Sequence, residues 1–192
     1  MVPSREKCFE LMARYKVPSH IIAHSTMVEK VANLLALSLE KAGEKISLEK
    51  VSAGALLHDI AKEICFKSGR DHAEEGERIC RKHGLNEIAE IVREHIRLKN
   101  YTPGKRISEK EIVYYADKRV NHEAVVSLEE RLRYLLCRYA KDEDRLAGAI
   151  KENFDLCKKV EKELFAKLDY ASDQVAGMIE YSILKGCRCL SA

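Results

Sequence analysis

One stretch constrains this chain more than any other: Ala55-Leu56-Leu57-His58-Asp59-Ile60-Ala61-Lys62. It is an apolar helical run with an imidazole and a carboxylate side by side in its middle. Burying such groups among Leu, Ile and Ala is costly unless something satisfies them. A metal ion satisfies both at once, because neutral imidazole and carboxylate are each good ligands. Further candidates lie elsewhere in the chain: His24 upstream, and His72, His95 and Asp117 downstream.

With 192 residues the chain is long enough for one domain with a substantial core. Nine Gly and three Pro are few for that length and favour long helices over a turn-rich sheet protein. The net charge of +3, with signs interleaved, argues for neither a nucleic-acid partner nor a membrane surface. Seven cysteines show no disulfide framework. Cys8, Cys65, Cys80, Cys137 and Cys157 fall in helical patterns and read as small core residues. Cys187 and Cys189 form a lone C-x-C pair with the chemistry for a soft metal. No basic segment followed by an apolar core opens the chain, and no apolar run is long enough to span a bilayer; the expected setting is the cytoplasm.

Helical periodicity predicts elements over 4–15 with Ser4 as cap, 19–43 ending at Gly43, 47–64 capped by Ser47, 72–83 capped by Asp71, and 86–98. Ser108 with Glu111 and Ser127 with Glu130 form capping boxes, opening helices to 120 and 140. A charged turn at 141–144 precedes a long amphipathic helix through Leu168, and a shorter one covers 174–185. No strand pattern is convincing, so the expected fold class is all-α.

A lone buried histidine usually does no more than hydrogen-bond a backbone carbonyl. Position on the helical wheel changes the argument. His24 shares a stripe with Val28 and Val31, His58 with Gly54, Ala61 and Cys65, and His95 with Ile91 and Leu98. Asp117 shares one with Val113 and Val120, and His72 begins one continued by Gly76, Ile79 and Cys80. Each period points a coordinating group inward. Five separate unpaired burials would be ruinous for a marginally stable fold, whereas one shared site resolves them together. The remaining histidines read differently: His83 as a partner of a helix C-terminus, His20 as a helix-start residue or part of the same cavity, and His122 as exposed. The set offers nitrogen and oxygen without thiolate, which suits Fe, Mn, Zn or Ni better than a structural zinc site. Asp59 has two oxygens and could bridge two ions. Water between such ions becomes strongly acidic, which is the chemistry of hydrolysing a phosphate ester or anhydride.

The order His24, then His58-Asp59, then Asp117, in the segments HSTMVEKVA, LLHDIAK and YYADKRV, resembles the HD superfamily of metal-dependent phosphohydrolases. The likeness covers about residues 19–123. It implies an HD-domain helical bundle over 1–125. Residues 127–192 lie outside the likeness, and the expectation for 126–192 is a C-terminal helical extension that packs on the core, covers the site or pairs subunits as a homodimer. His72 in HAEEGERI and His95 in IVREHI resemble the additional ligands of symmetrical diadenosine tetraphosphate hydrolases, which use a di-iron site. The resemblance implies one ion on His24, His58, Asp59 and Asp117 and a second on Asp59, His72 and His95. These would be divalent, Fe or Mn first, with Zn, Ni, Co or Mg as substitutes. It also implies that Lys62 contacts phosphate.

Two segments depart from that hydrolase group. Ile96-Arg97-Leu98 stands where it has small hydroxylated residues and glycine, and Lys118 to His122 where it has a Glu-Pro segment ending in arginine. The expected function is therefore hydrolysis of a phosphoester or phosphoanhydride in a nucleotide-type substrate by a metal-bound hydroxide. Asp59 and Lys62 are the expected catalytic residues. Arg97, Lys99, Lys105, Lys118 and Arg119 are the candidates to hold substrate phosphate. The rival readings are a catalytically silent nucleotide-sensing or adaptor protein, and a helical scaffold whose buried polar groups bond one another.

Overall fold

The computed structural model describes residues 1–66, 68–141 and 143–188, with side chains through Ile183. In chain order the elements are α1 Arg5–Arg14, α2 Ser19–Lys41, α3 Leu48–Leu57, α4 Lys62–Phe66, α5 His72–Lys82, α6 Asn86–Glu94 and α7 Glu109–Lys118. A ribbon of β1 Val120–Asn121 and β2 Ala124–Val125 follows, then α8 Leu128–Tyr139, α9 Asp144–Phe165, a 3-10 turn at Ser172–Gln174 and α10 Val175–Arg188. The protein is all-α apart from that ribbon. The pairing of Val120 with Val125 is antiparallel and too short to leave an alternating pattern in the sequence.

Caps set the helix starts. Ser4 accepts from the Lys7 amide, Ser47 from the Lys50 amide, and Asp71 from the amides of Ala73 and Glu74. Both capping boxes form, at Ser108/Glu111 and Ser127/Glu130. After α2 the chain turns at Gly43 with φ +92°, a conformation L side chains rarely adopt.

Two expectations are corrected at helix ends. The central run is not one helix over 47–64. After Leu57 the amides of Ile60 and Lys62 bond back only three residues, to Leu57 and Asp59, so the coil tightens into turns before α4 resumes. The predicted helix over 86–98 stops at Glu94, and beyond it the carbonyls of His95 and Ile96 accept from the side chains of Lys118 and Asn153. A third correction concerns Cys137, which is exposed on α8, whereas Cys8, Cys65, Cys80 and Cys157 are buried as expected. Cys187 and Cys189 lie outside the residues whose side chains are described, and the charged turn at 141–144 lies partly outside the described residues.

α2 runs through the middle, packed along α3 and α7, while α6 closes against α3, α5 and α7. Val31, Leu35, Leu56, Ile88, Ile112 and Tyr114 centre the core, and Leu128 of α8 and Phe154, Cys157, Val160 and Leu164 of α9 join it. Two glycines let helices approach closely enough to bring the site together. A Cβ on Gly54 would lie 2.6 Å from Ile91 Cγ2, and one on Gly76 would lie 2.8 Å from Val92 Cγ1. α3 and α5 therefore both seat directly on α6, whose last turn delivers His95.

Candidate metal centre

The six expected ligands come from separate elements and converge. His24 projects from α2, His58 closes α3, Asp59 follows it in the tight turn, His72 opens α5, His95 closes α6, and Asp117 sits in the last turn of α7. His24 Nε2 is 3.2 Å from Asp117 Oδ1, and His58 Nε2 is 3.6 Å from the same oxygen. His58 Nε2 is also 3.4 Å from Asp59 Oδ2. The other oxygen of that carboxylate, Asp59 Oδ1, lies 3.2 Å from His72 Nε2 and 3.5 Å from His95 Nε2. Two overlapping groups have the spacing to hold a metal ion: His24, His58 and Asp59, and Asp59, His72 and His95. Asp59 is common to both.

Three of the imidazoles are fixed from behind. His58 Nδ1 donates to the Ala55 carbonyl at 2.7 Å, His95 Nδ1 to Val92 at 2.6 Å, and His24 Nδ1 to His122 at 2.9 Å. Each bond settles the tautomer, leaving Nε2 as a lone-pair donor aimed at the carboxylates. A backbone hydrogen bond was the bland alternative for a buried histidine, and here it is part of the same design.

The fit to a metal rests on what remains unpaired. His58 Nε2 and Asp59 Oδ1 are buried without a hydrogen-bond partner. Buried polar atoms left in that state are rare and mark a missing ion or water. The donor set of imidazole nitrogen and carboxylate oxygen suits a divalent transition metal.

Electrostatics prepare the same chemistry. Burial alone would raise the Asp59 carboxyl, but Lys62 and His58 overturn it and hold Asp59 well below the usual carboxylate range. Asp117 is likewise held well below it, chiefly by Lys118 and His24 against the effect of burial. Burial pushes His95 down to about 4, which keeps it neutral and able to coordinate. Burial pulls His58 down too, but Asp59 and Asp117 outweigh it and the net shift is upward.

The cluster forms the floor of a cavity of about 700 Å³, into which Asp59, His72, His95 and Asp117 open. Lys62, Arg97 and Lys118 line it, and Arg70 and Arg131, not anticipated from sequence, join them. Lys62 Nζ is 2.6 Å from Asp59 Oδ2, yet its side chain is 41% exposed. Lys118 is buried, donates to the His95 carbonyl, lies 3.2 Å from Asp117 Oδ2 and sits 4.2 Å over the Tyr114 ring. It ties α7 to the end of α6.

Arg119, expected at the substrate, is placed elsewhere. Its guanidinium donates to the carbonyls of Val126 and Ser172 and to the Tyr115 hydroxyl, so it fastens the C-terminal part of the chain to α7. Lys105 lines a separate small pocket beside Tyr101 and Glu163, and Lys99 does not line the large cavity. His83 accepts from or donates to the Tyr15 hydroxyl at 3.0 Å, remote in sequence from the cluster, while His20 and His122 are exposed. The His122 backbone carbonyl nevertheless orients His24, a role no side-chain pattern discloses.

An all-helical bundle with a His-Asp pair at a shared bridging position defines a class, and the sequence comparison agrees with it. The chain belongs to the HD domain family, whose model matches residues 21–149. Members of this family are typically metal-dependent hydrolases and bind divalent metals. The chain is also similar to a tRNA (cytidine(56)-2'-O)-methyltransferase of Thermoplasma volcanium, with 33% identity over 97 residues. That stretch is 50% of this chain and 27% of the methyltransferase, so the likeness spans about a quarter of the relative's length. No solved structure matches the chain.

Proposed function

We propose that this protein is a metal-dependent phosphohydrolase that cleaves a phosphoester or phosphoanhydride of a nucleotide-type substrate. One observation carries the reading: the imidazole Nε2 atoms of His24, His58, His72 and His95 face the carboxylates of Asp59 and Asp117, with His58 Nε2 and Asp59 Oδ1 buried and unpartnered, beneath a cavity lined by cations. His24, His58, Asp59 and Asp117 would hold one ion, and Asp59, His72 and His95 the other. Such ions supply Lewis acidity toward phosphoryl oxygens and lower the pKa of coordinated water.

The chain's own residues do the rest. Asp59, held ionised, offers one oxygen to each half of the cluster. Burial opposes the charge on Lys62, but Asp59 and Asp117 raise its pKa and keep it a cation. It spends one donor on Asp59 and turns the rest toward the cavity, where a phosphoryl oxygen would accept. Arg97, exposed at the cavity rim, adds a second donor group for phosphate. Lys118 acts through its neighbours, holding Asp117 and the His95 carbonyl in place.

The narrower likeness to diadenosine tetraphosphate hydrolases rests on His72 and His95, while Ile96-Arg97-Leu98 and Lys118-Arg119 depart from that group at positions near the site. The substrate is therefore assigned by class. A second reading, favoured by the relative named as a tRNA methyltransferase, is a nucleotide-binding module that keeps the pocket without turnover.

The test loads the purified protein with Fe, Mn, Co or Ni. It then measures phosphate release from nucleoside mono- and polyphosphates, dinucleotides and bis(p-nitrophenyl) phosphate. Release that requires metal supports the hydrolase. Tight nucleotide binding without release selects the binding module, and a stable protein that takes up no metal excludes both.

A further inference from the structure

We infer that the tip of the α8–α9 hairpin is the specificity wall of the site, shaped for a planar ring on the phosphate compound; this rests on the phosphohydrolase reading above. α8 has an apolar stripe at helical period, Leu128, Leu132, Leu135 and Tyr139. Only the first of these is buried. Leu128 is 2% exposed, Leu132 and Leu135 are half-buried, and Tyr139 is 54% exposed. α9 mirrors it in the opposite direction. Leu146 is 37% exposed, Ile150 is half-buried, and Phe154 and Cys157 are buried.

Both stripes thus lose their protein partners toward the loop that joins the two helices. What they face there is the cavity above the ligand cluster, whose lining includes Leu135, Tyr139, Leu146, Ile150 and Phe154. Phe66, the last residue of α4 and 83% exposed, lines the same cavity. The cavity therefore has two chemistries. Its floor carries the carboxylates and imidazoles together with Lys62 and Lys118, and its hairpin side is mainly apolar and aromatic, with Arg131 of α8 and Asn153 of α9 as its polar members.

At about 700 Å³ the cavity falls within the range of sites for whole small molecules, about 300–1,000 Å³. A phosphate group alone would leave the hairpin wall wetted. A sugar phosphate would set hydroxyls against Leu135, Leu146 and Ile150, side chains that cannot bond them, and would leave the aromatic face of Tyr139 uncovered. A phosphate joined to a ring of nucleobase character satisfies both ends: the anion meets the cations, and the ring covers Tyr139 and its aliphatic neighbours.

The chain contains no tryptophan, so Tyr139→Trp gives a single emission reporter at the proposed wall. The metal-loaded reporter is mixed in a stopped-flow instrument with AMP, ribose 5-phosphate or adenosine, and emission is read before turnover. AMP is expected to shift the emission and to bind about tenfold or more tighter than ribose 5-phosphate. Adding Leu146→Gln or Ile150→Asn should cut that preference to less than about threefold. Leu146→Gln changes a partly exposed position, so a folded variant is available even if Ile150→Asn is not.

Equal affinity for AMP and ribose 5-phosphate overturns the wall while leaving the phosphohydrolase reading intact. Binding of neither phosphate compound overturns both. A ligand-free dimer by light scattering, with the reporter emission already blue-shifted, overturns the wall in favour of a second copy covering this face.

Discussion

His58 ends α3 and His95 ends α6 in the same manner. Each ring donates Nδ1–H to a carbonyl three residues back and points Nε2 into the cluster. Their surroundings differ. His58 faces two carboxylates, Asp59 and Asp117, and its proton affinity is raised despite complete burial. His95 faces one oxygen of Asp59 and the rings of His58 and His72, at 4.9 and 5.2 Å between centroids, and burial drives it down to about 4. The halves also differ in access. The His24 and His58 side chains are 9% and 0% exposed and do not line the cavity, whereas His72 is 25% exposed there. Similar helix-end geometry thus yields one half whose imidazoles are buried beside two carboxylates and another with a neutral donor and an imidazole open to the cavity, joined by Asp59.

If that division is correct, the largest effect belongs to the shared residue. Asp59→Ala should abolish phosphate release, by more than about a hundredfold, and empty both halves as measured by bound metal. Retention of one full equivalent would show that the halves do not share it. The next test separates them. His72→Ala should leave about half the metal bound and His24→Ala should leave the other half, with activity reduced about 10- to 100-fold or more in each. Identical residual metal spectra from the two variants would erase the distinction between the halves.

Lys118 links the halves mechanically, since it contacts Asp117 of one and the carbonyl of His95 in the other. Lys118→Met should weaken metal binding at both, by about tenfold, and lower stability by about 2 kcal/mol through lost hydrogen bonds to charged groups. Isothermal titration of metal and chemical denaturation check the two parts. Loss of stability with unchanged metal affinity would reduce Lys118 to a packing role.

The side chains of this site were more legible than its backbone. Helical period sent His24, His58, His72, His95 and Asp117 inward because each shares a stripe with apolar neighbours, and burial follows that stripe. The tight turn at 58–61 was hidden because an uninterrupted apolar run supports a continuous helix equally well. The path of the chain after α6 is held by Lys118 and Asn153, donors 23 and 57 residues away from the carbonyls they bond, which no local pattern contains. Lys118 and Arg119 looked alike as cations next to Asp117, yet successive residues at a helix end point about 100° apart, and only Lys118 faces the cavity. The amphipathic pattern of α9 was visible, but amphipathicity alone does not say whether a stripe meets core or cavity.

The smallest effect is also the sharpest test of the comparison. A proton and a metal compete for the same Nε2 lone pair. His58 has the raised affinity for protons, so the half containing it should lose metal first as pH falls from neutrality. His95 stays neutral until about pH 4, so its own lone pair remains available through that interval. The measurement uses His72→Ala, which keeps the half containing His58, and His24→Ala, which keeps the half containing His95. Metal affinity of the first should fall by up to about tenfold per pH unit once His58 begins to protonate, and His95 should impose no such fall on the second until about pH 4. The reverse order would mean that exposure at His72, rather than the carboxylates around His58, governs which half yields first.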